Sequence, residues 1–327
     1  MERIKLALLY GGDSTEREVS IMSWEAVREN LDPSRYEIFD YDLKTDLPQL
    51  VSDAALLDVA LICMHGRGGE DGAVQGLLDL LKLPYQGSGV LGSATAMNKR
   101  LSKELYLRAG LTLPKSIVLN RASPIELEAF RDLIPCMVKP AHEGSSGGMS
   151  KVEQLESLPE AIADAFKYDE EILVEEFIAG IEVTGAVIGL DELQSLPLIE
   201  IVPKGEHIFF DYTAKYDASQ TDEICPARIS PELTEKAQKA AITAHRALGL
   251  RGYSRTDMII RNGEILVLET NTIPGMTKNS LLPKAASQAG IEFSCLLDLL
   301  IEMAFQAHKK HDTFQPDRAS SPISATI

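Results

Sequence analysis

Asp257, Glu269 and Asn271 lie in the segments Arg255-Thr256-Asp257 and Leu268-Glu269-Thr270-Asn271, beside Arg255 and just ahead of the turn Ile273-Pro274-Gly275-Met276-Thr277. Hard oxygen donors of this kind suit Mg²⁺, which keeps octahedral ligation and is usually held by one or two carboxylates plus substrate phosphates. The set reads as a phosphoryl-transfer site. Six further segments carry residues able to serve it. Lys139-Pro140-Ala141-His142-Glu143-Gly144-Ser145-Ser146-Gly147-Gly148 follows a strand. Its small residues let backbone N–H groups close on phosphate oxygens, with Lys139 as a cation at the base. It has neither P-loop nor GxGxxG spacing, and a plain turn is the alternative. Glu175-Glu176-Phe177-Ile178 ends a strand whose edge suits a purine, with Glu182 within reach of ribose hydroxyls; a solvated acidic strand end is the plainer reading.

Two glycine-rich loops near the start form a second group. In Gly11-Gly12-Asp13-Ser14-Thr15-Glu16-Arg17-Glu18-Val19-Ser20, Glu16 offers a carboxylate for a substrate ammonium, and Ser20 is a helix N-cap candidate. In His65-Gly66-Arg67-Gly68-Gly69-Glu70-Asp71-Gly72, His65 reads either as a satisfied loop histidine or as a substrate-binding group. Later, Phe210-Asp211-Tyr212-Thr213-Ala214-Lys215-Tyr216 sits in a loop long enough to be a lid. There Lys215 suits a γ-phosphate and Tyr216 the cap of a small pocket. Thr277-Lys278-Asn279-Ser280-Leu281 leads into a helix whose free N–H groups, with the Ser280 hydroxyl, suit a carboxylate.

The elements that position the acidic set can be counted. Residues 254–260 and 265–271 read as strands joined through Arg261-Asn262-Gly263-Glu264, where Asn-Gly is the strongest short hairpin signal. A tight two-residue loop sets Glu269 opposite Thr256 and leaves Asp257 on the other face. A three-residue loop, or a bulge, sets Asp257 opposite Glu269 and Arg255 opposite Asn271, and all four side chains then share one face. We expect the looser turn. The alternative is a solvated face with charges at random.

Elsewhere the first segment alternates strands (Ile4–Tyr10, Tyr36–Leu43, Val59–Met64) with helices (Ser20–Leu31 and about 73–82), the βαβ rhythm of a mainly parallel sheet. Both glycine-rich loops follow strand C-terminal ends, where open α/β sheets bind ligands. A helical connection across Gly92–Ala109 leads to strands near Ser116–Leu119, Pro135–Lys139 and Glu171–Glu175, with helices near 124–132 and 158–167. From Gly180 the pattern is strand-rich, with a long loop at 203–227, a helix over 231–248 and a last helical stretch ending near His308. Residues 309–327 lack periodicity and read as a mobile tail.

With 327 residues, 45% hydrophobic and 25% charged, the chain is long enough for two or three domains. A net charge of −17 argues against nucleic acid or an anionic membrane as partner. Cys63, Cys136, Cys225 and Cys295 are far apart and form no zinc or CxxC spacing, as expected of reduced thiols in a cytoplasmic protein. No signal peptide or apolar run of about 18 residues directs the chain to a membrane.

Taken in order, GGDSTEREVS (11–20), HGRGGEDG (65–72), QGSG (86–89), MNK (97–99), VKP with EGSS (138–146), DYTAKY (211–216), RTD (255–257) and LETNTIPGMTKNSLLP (268–283) resemble the D-alanine–D-alanine ligase family of the ATP-grasp superfamily. The likeness runs from about Ile4 to Ala307. It implies a three-domain α/β ATP-grasp fold: an N-terminal parallel-sheet domain (1–96), then two α+β units that clasp ATP (97–179 and 180–308); the tail (309–327) is longer than the family needs and carries no motif. It also implies a reaction for peptidoglycan synthesis. ATP phosphorylates the carboxylate of one D-alanine, and the amine of a second attacks the acyl phosphate.

By motif position, Lys99 and Lys139 would hold nucleotide phosphates and Lys215 the transferred one. Glu175 and Ile178 would meet adenine and Glu182 the ribose. Asp257, Glu269 and Asn271 would hold two Mg²⁺ (or Mn²⁺) ions, while Arg255 and the Gly275 N–H would stabilise the oxyanion. Glu16 would take the first substrate's ammonium and His65 would line the substrate site. Ser280 and the Leu281 N–H would bind the second carboxylate, and Ser145 and Tyr216 would link to Glu16 across a closed lid. A homodimer through the first domain is implied as well.

Phe210, Gly147 and Thr270 depart from the family's usual residues, and none removes a group assigned chemistry. Three rivals are a D-alanine–D-lactate or D-serine ligase, which usually replaces the lid tyrosine, another ATP-grasp carboxylate–amine ligase, and a non-catalytic nucleotide-binding relative.

Overall fold

The computed structural model describes residues 2–122, 124–144, 147–204, 221–277 and 279–313. Three sheets follow one another along the chain. In the first, β1 (Ile4–Tyr10), β2 (Tyr36–Asp42) and β3 (Val59–Ile62) run parallel in the order β2-β1-β3. They are joined through α1 (Arg17–Asn30) and α2 (Leu47–Asp53), and α3 (Ala73–Leu81) follows β3. The apolar run of β1 is explained by burial on both faces. Leu6 and Leu8 enter one core and Ala7 and Leu9 another, as side chains alternating along a covered strand must.

The expected single helical connection is two helices, α4 (Val90–Met97) and α5 (Lys99–Arg108). The break falls at Asn98, whose extended backbone (φ −87°, ψ 99°) lets its side chain accept the Leu101 N–H and start the second helix. Tyr106 on α5 packs into the core of the third sheet.

The second sheet, β4 (Ser116–Asn120), β5 (Cys136–Pro140), β6 (Ser150–Val152) and β7 (Glu171–Glu176), is antiparallel in the order β4-β7-β5-β6. The helix α6 (Leu158–Ala165) packs against it, and the helix expected near 124–132 is instead a 3₁₀ segment, Leu127–Leu133. The third sheet holds β8 (Ile181–Gly189), β9 (Gln194–Ser195), β10 (Ile199–Pro203), β11 (Thr221–Ile224), β12 (Gly252–Arg261) and β13 (Glu264–Asn271). Its main path is β11-β10-β8-β12-β13, with α7 (Pro231–Ala247) packed on it. The long loop expected at 203–227 is thus shorter, because residues 221–224 pair with β10 as an edge strand.

The chain then returns to its beginning. Two helices, α8 (Leu281–Gln288) and α9 (Phe293–Thr313), pack Leu282, Leu296, Leu297 and Leu300 into one core with Leu6, Leu8, Val59 and Leu61. Tyr36 Oη donates to Asp298 on α9 at 2.6 Å. This last helix continues to Thr313, five residues past the expected end, and residues 314–327 of the expected tail lie outside the described residues. No helix among the described residues is long and apolar enough to cross a membrane.

Candidate active site

The hairpin β12–β13 carries the acidic set, and its turn is tight, contrary to the looser one expected. Arg261 pairs with Glu264 across Asn262-Gly263, whose φ angles of 53° and 82° are those of a type I′ turn. A bulge corrects the register. Met258 pairs with Val267 but Asp257 pairs with Glu269, so Leu268 is the extra residue and Arg255 comes opposite Asn271. The face holding all four side chains is therefore the expected one, reached through the bulge.

On that face Arg255 Nε and Nη2 donate to the two Asp257 carboxylate oxygens at 3.0 and 2.8 Å. Thr184 Oγ1, from β8, donates to Asp257 at 2.6 Å, and the Asn271 amide donates at 3.3 Å. Glu269 faces Lys99 Nζ at 3.4 Å, and that ammonium also donates to the Glu143 carbonyl at 2.6 Å. Behind the face a buried hydroxyl chain braces the hairpin: Tyr106 Oη donates to Thr270 Oγ1 at 2.7 Å, which lies 3.0 Å from Thr256 Oγ1. The unusual Thr270 thus has a partner on α5.

No cluster of three His, Cys, Asp or Glu side chains suited to a metal occurs among the described residues. Two carboxylates and an amide on one strand-pair face nonetheless fit a hard divalent cation, particularly when substrate phosphates complete the shell. Asn271 presents its oxygen instead of its NH₂ after a simple amide flip.

Between the second and third sheets lies a cavity of about 420 Å³, within the range of small-ligand sites. Met137, Ile178, Ile201 and Leu268 supply apolar walls, while Lys99, Lys139, Glu182, Asp257 and Glu269 ring it with charge. Glu175 also lines it, but its carboxylate, with 3% of the side chain exposed, is gripped by two lysines, Lys139 and Lys103. Burial by itself would raise the Glu175 pKa, yet the two ammonium groups outweigh it and hold the carboxylate below its ordinary range. Lys139 is shifted upward, since Glu175 and Glu269 overcome its desolvation, whereas burial prevails at Lys103 and shifts it down.

The N-terminal loops close on the same region. Ser14 Oγ donates to the His65 carbonyl at 2.7 Å, and Arg67 pairs with Glu143 at 2.8 Å. Glu16, 7% exposed, sits where these loops meet. A Cβ at Gly66 would come within 2.7 Å of its Oε2, and one at Gly144 within 3.0 Å, so the glycines permit the approach. Glu70 accepts the Gly66 N–H at 2.9 Å and the Ile273 N–H at 3.1 Å. Burial, and then the charge of Glu16, push the Glu70 carboxyl well above its ordinary range. His65 Nε2 lies 2.9 Å from Ser23 Oγ, which also accepts the Met276 N–H at 3.4 Å.

Farther along, Ser280 caps α8 in position only. Its hydroxyl accepts the Thr277 N–H at 3.0 Å and makes no bond to the helix's own N–H groups. A Cβ at Gly275 would meet that hydroxyl at 2.7 Å, so the turn and the helix start are closely apposed. Of the expected site residues, Glu16, His65, Lys99, Lys139, Glu175, Ile178, Glu182, Arg255, Asp257, Glu269, Asn271, Gly275, Ser280 and Leu281 are described, whereas Ser145, Lys215 and Tyr216 lie outside the described residues. Lys103, Glu70 and Thr184 were missed as site residues. Lys103 sits inside an ordinary amphipathic helix, and only pairing of that helix with the strand carrying Glu175 would have exposed it.

Burial pushes His65 down to about 4, with the nearby charge of Arg255 acting the same way against the Ile273 backbone. The unfolded chain therefore binds a proton near the ordinary value of about 6.5 that the folded chain does not. Stability is full above about pH 6.5 and falls as pH drops toward 4, by about 3 kcal/mol for this one group. We expect the urea midpoint of the wild type to fall more steeply between pH 6.5 and 4.5 than that of His65→Gln. Parallel slopes would mean that the imidazole takes up a proton without leaving the fold.

Two antiparallel sheets closing on a lysine-lined cleft, with an acidic hairpin face at one end, define the ATP-grasp fold. Models described as D-ala D-ala ligase N-terminus and C-terminus match residues 42–88 and 109–302. The chain is 54% identical to the D-alanine–D-alanine ligase of Syntrophobacter fumaroxidans, over 93% of this chain and 99% of that protein. It is 49% identical to that of Desulfotalea psychrophila, over 94% and 97%. The crystal structure of the Bacillus anthracis D-alanine–D-alanine ligase complexed with ATP superposes with a TM-score of 0.84 at 36% identity, covering 95% of this chain and all of that one. The VanG D-Ala:D-Ser ligase of Enterococcus faecalis does so with a TM-score of 0.79 at 34% identity, covering 93% of this chain and 100% of that chain. The chain belongs to the D-alanine–D-alanine ligase family.

Proposed function

We propose that this chain joins two D-alanine molecules with ATP, giving D-alanyl-D-alanine, ADP and phosphate for peptidoglycan synthesis. The observation that carries this reading is the meeting of three loops. Glu70 and Ser23 bind the Ile273 and Met276 N–H groups, so the Glu16 and His65 loops stand against Gly275 and Ser280, near Arg255. One end of the space is thus suited to an amino acid and the other to phosphates.

ATP lies in the cavity with adenine near Glu175 and Ile178, ribose at Glu182 and phosphates at Lys99 and Lys139. Lys215 reaches the transferred group. Glu16 takes the first ammonium, with His65 beside it. The first carboxylate oxygen attacks the γ-phosphorus, forming an acyl phosphate as ADP leaves. Arg255 and the Gly275 N–H then hold the oxyanion that forms when the second amine attacks, and phosphate departs as that oxyanion collapses. Ser280 and the Leu281 N–H bind the second carboxylate, the helix N-terminus favouring its charge. Ser145 and Tyr216 complete the link to Glu16 over the closed site. Asp257, Glu269 and Asn271 would hold two Mg²⁺ or Mn²⁺ ions, which supply neutralisation of developing phosphate charge.

The same reading takes residues 1–96, 97–179 and 180–308 as domains, a homodimer through the first of them, and a cytoplasmic location. Phosphate release from Mg-ATP, with products identified, tests it against D-alanine alone, D-alanine with D-lactate, D-alanine with D-serine, and L-alanine. Release with D-alanine alone, yielding the dipeptide, is expected. Turnover only with D-lactate or D-serine would replace the second substrate, and ATP binding without turnover would sink the mechanism.

A further inference from the structure

The glycine-rich loop and the start of α5 are joined at three points. The Lys99 N–H donates to the Ala141 carbonyl at 2.9 Å, the Lys99 ammonium donates to the Glu143 carbonyl at 2.6 Å, and Asn98 Nδ2 lies 2.9 Å from His142 Nε2. The third contact has a determined direction. The Asp169 carboxylate accepts the His142 backbone N–H at 2.7 Å and lies 2.9 Å from the ring Nδ1. Nδ1, facing a carboxylate, must therefore carry hydrogen, and Nε2, facing the Asn98 NH₂, accepts. Asn98 then donates through its NH₂. Its oxygen is turned to the Leu101 N–H at 2.9 Å, the bond that caps α5. Both partners of the amide demand the same orientation. Glu171, whose Oε2 lies 3.8 Å from Nε2, is the second carboxylate near the ring, and both its oxygens accept from Arg100 Nε, at 3.2 and 3.4 Å.

We propose that His142 is a positioning residue. Held by Asp169, its imidazole fixes Asn98, and through that tie between loop and helix start sets the Lys99 ammonium and the backbone of residues 139–144 at the phosphate end of the cavity. Lys99 follows Asn98 directly, so cutting the Asn98–His142 tie, even with the helix still capped, lets the helix start that aims the ammonium at Glu269 shift against the loop. The inference rests on the reading of Lys99 as a phosphate-holding group.

Equilibrium binding of ATP in the presence of Mg²⁺, with ATP and D-alanine KM and kcat, tests it on the full chain. His142→Ala is expected to weaken ATP binding and raise the ATP KM by roughly tenfold, the usual worth of one hydrogen bond in a linked chain. The D-alanine KM and kcat should stay within about twofold by the same reasoning. His142→Gln keeps an acceptor for Asn98 and should recover most of the loss. Asn98→Ser keeps a good helix cap but is too short to reach the ring, so it should match His142→Ala. The double variant should be no worse than either single one, because both cut the same chain.

Unchanged ATP affinity in His142→Ala, no recovery in His142→Gln, or additive losses would overturn the proposal. If His142→Ala melts below the assay temperature, His142→Gln and Asn98→Ser still decide it. Lys99→Ala separates the two ideas. If that variant also binds ATP normally, the phosphate reading of Lys99 fails, whereas weak binding there with normal binding in Asn98→Ser refutes the role of His142 alone.

Discussion

Arg255→Ala is expected to lower kcat by about 10²–10³-fold, the usual loss when one oxyanion donor is removed from a preorganised site. The side chain is 10% exposed and two of its nitrogens are fixed on Asp257. That anchoring keeps the guanidinium from reorganising as charge develops, which is where such a donor gains its effect. The substitution also strips a cation from a buried carboxylate, a change that in other proteins costs about 3–5 kcal/mol. Here Thr184 and Asn271 remain on Asp257 and lessen that cost. Arg255→Lys distinguishes catalysis from stability. It keeps the charge but loses the planar fork, so it should melt close to wild type and still lose most of kcat. Near-normal turnover in Arg255→Lys would limit Arg255 to balancing charge.

Glu175→Gln is expected to destabilise the chain by about 3–5 kcal/mol, since it leaves two buried ammonium groups facing an uncharged amide. Lys103 and Lys139 have only 9% and 11% of their side chains exposed, so water cannot replace the lost carboxylate. The Glu175 carboxylate titrates below its unfolded counterpart. Its contribution is therefore complete at neutral pH and fades only as pH falls below about 4.3 toward the lower folded value. Thermal melting at pH 7.5 and at low pH checks both the size and the direction. Excess ATP should restore more stability to the variant than to the wild type, because a triphosphate gives Lys139 a new counter-charge. A variant that melts within a degree of wild type would show that the lysines neutralise or reach solvent instead.

The strand rhythm of the first sheet was legible because both faces are covered, and Leu6 to Leu9 of β1 follow that rule. The acidic face was legible too, but for a reason only half seen. Counting showed that a shift of one residue was needed, and Asn262-Gly263 was discounted as the turn that strong hairpin signals usually mark. The chain keeps that turn and places the extra residue at Leu268, five residues farther on, where nothing in residue type announces a bulge. Lys103, Glu70 and Thr184 were hidden differently. Each lies in a plain amphipathic, glycine-rich or β-branched context, and its partner is distant in sequence: Glu175 for Lys103, Ile273 for Glu70, Asp257 for Thr184. Local pattern predicts elements, while such pairs depend on how three sheets meet. The split at Asn98 was missed because the apolar spacing continues across it; only the capping bond breaks the helix.

The core that unites Leu6, Leu8, Val59 and Leu61 with Leu296, Leu297 and Leu300 has a temporal side. Protein synthesis is vectorial, so one face of the opening sheet leaves the ribosome more than two hundred residues before the helix that covers it. At about 5–20 residues per second that face waits roughly ten to fifty seconds. During this interval the nascent sheet presents apolar side chains to solvent, the kind of surface that makes partly folded chains prone to aggregate. The helix Phe293–Thr313 can close this core only after that wait.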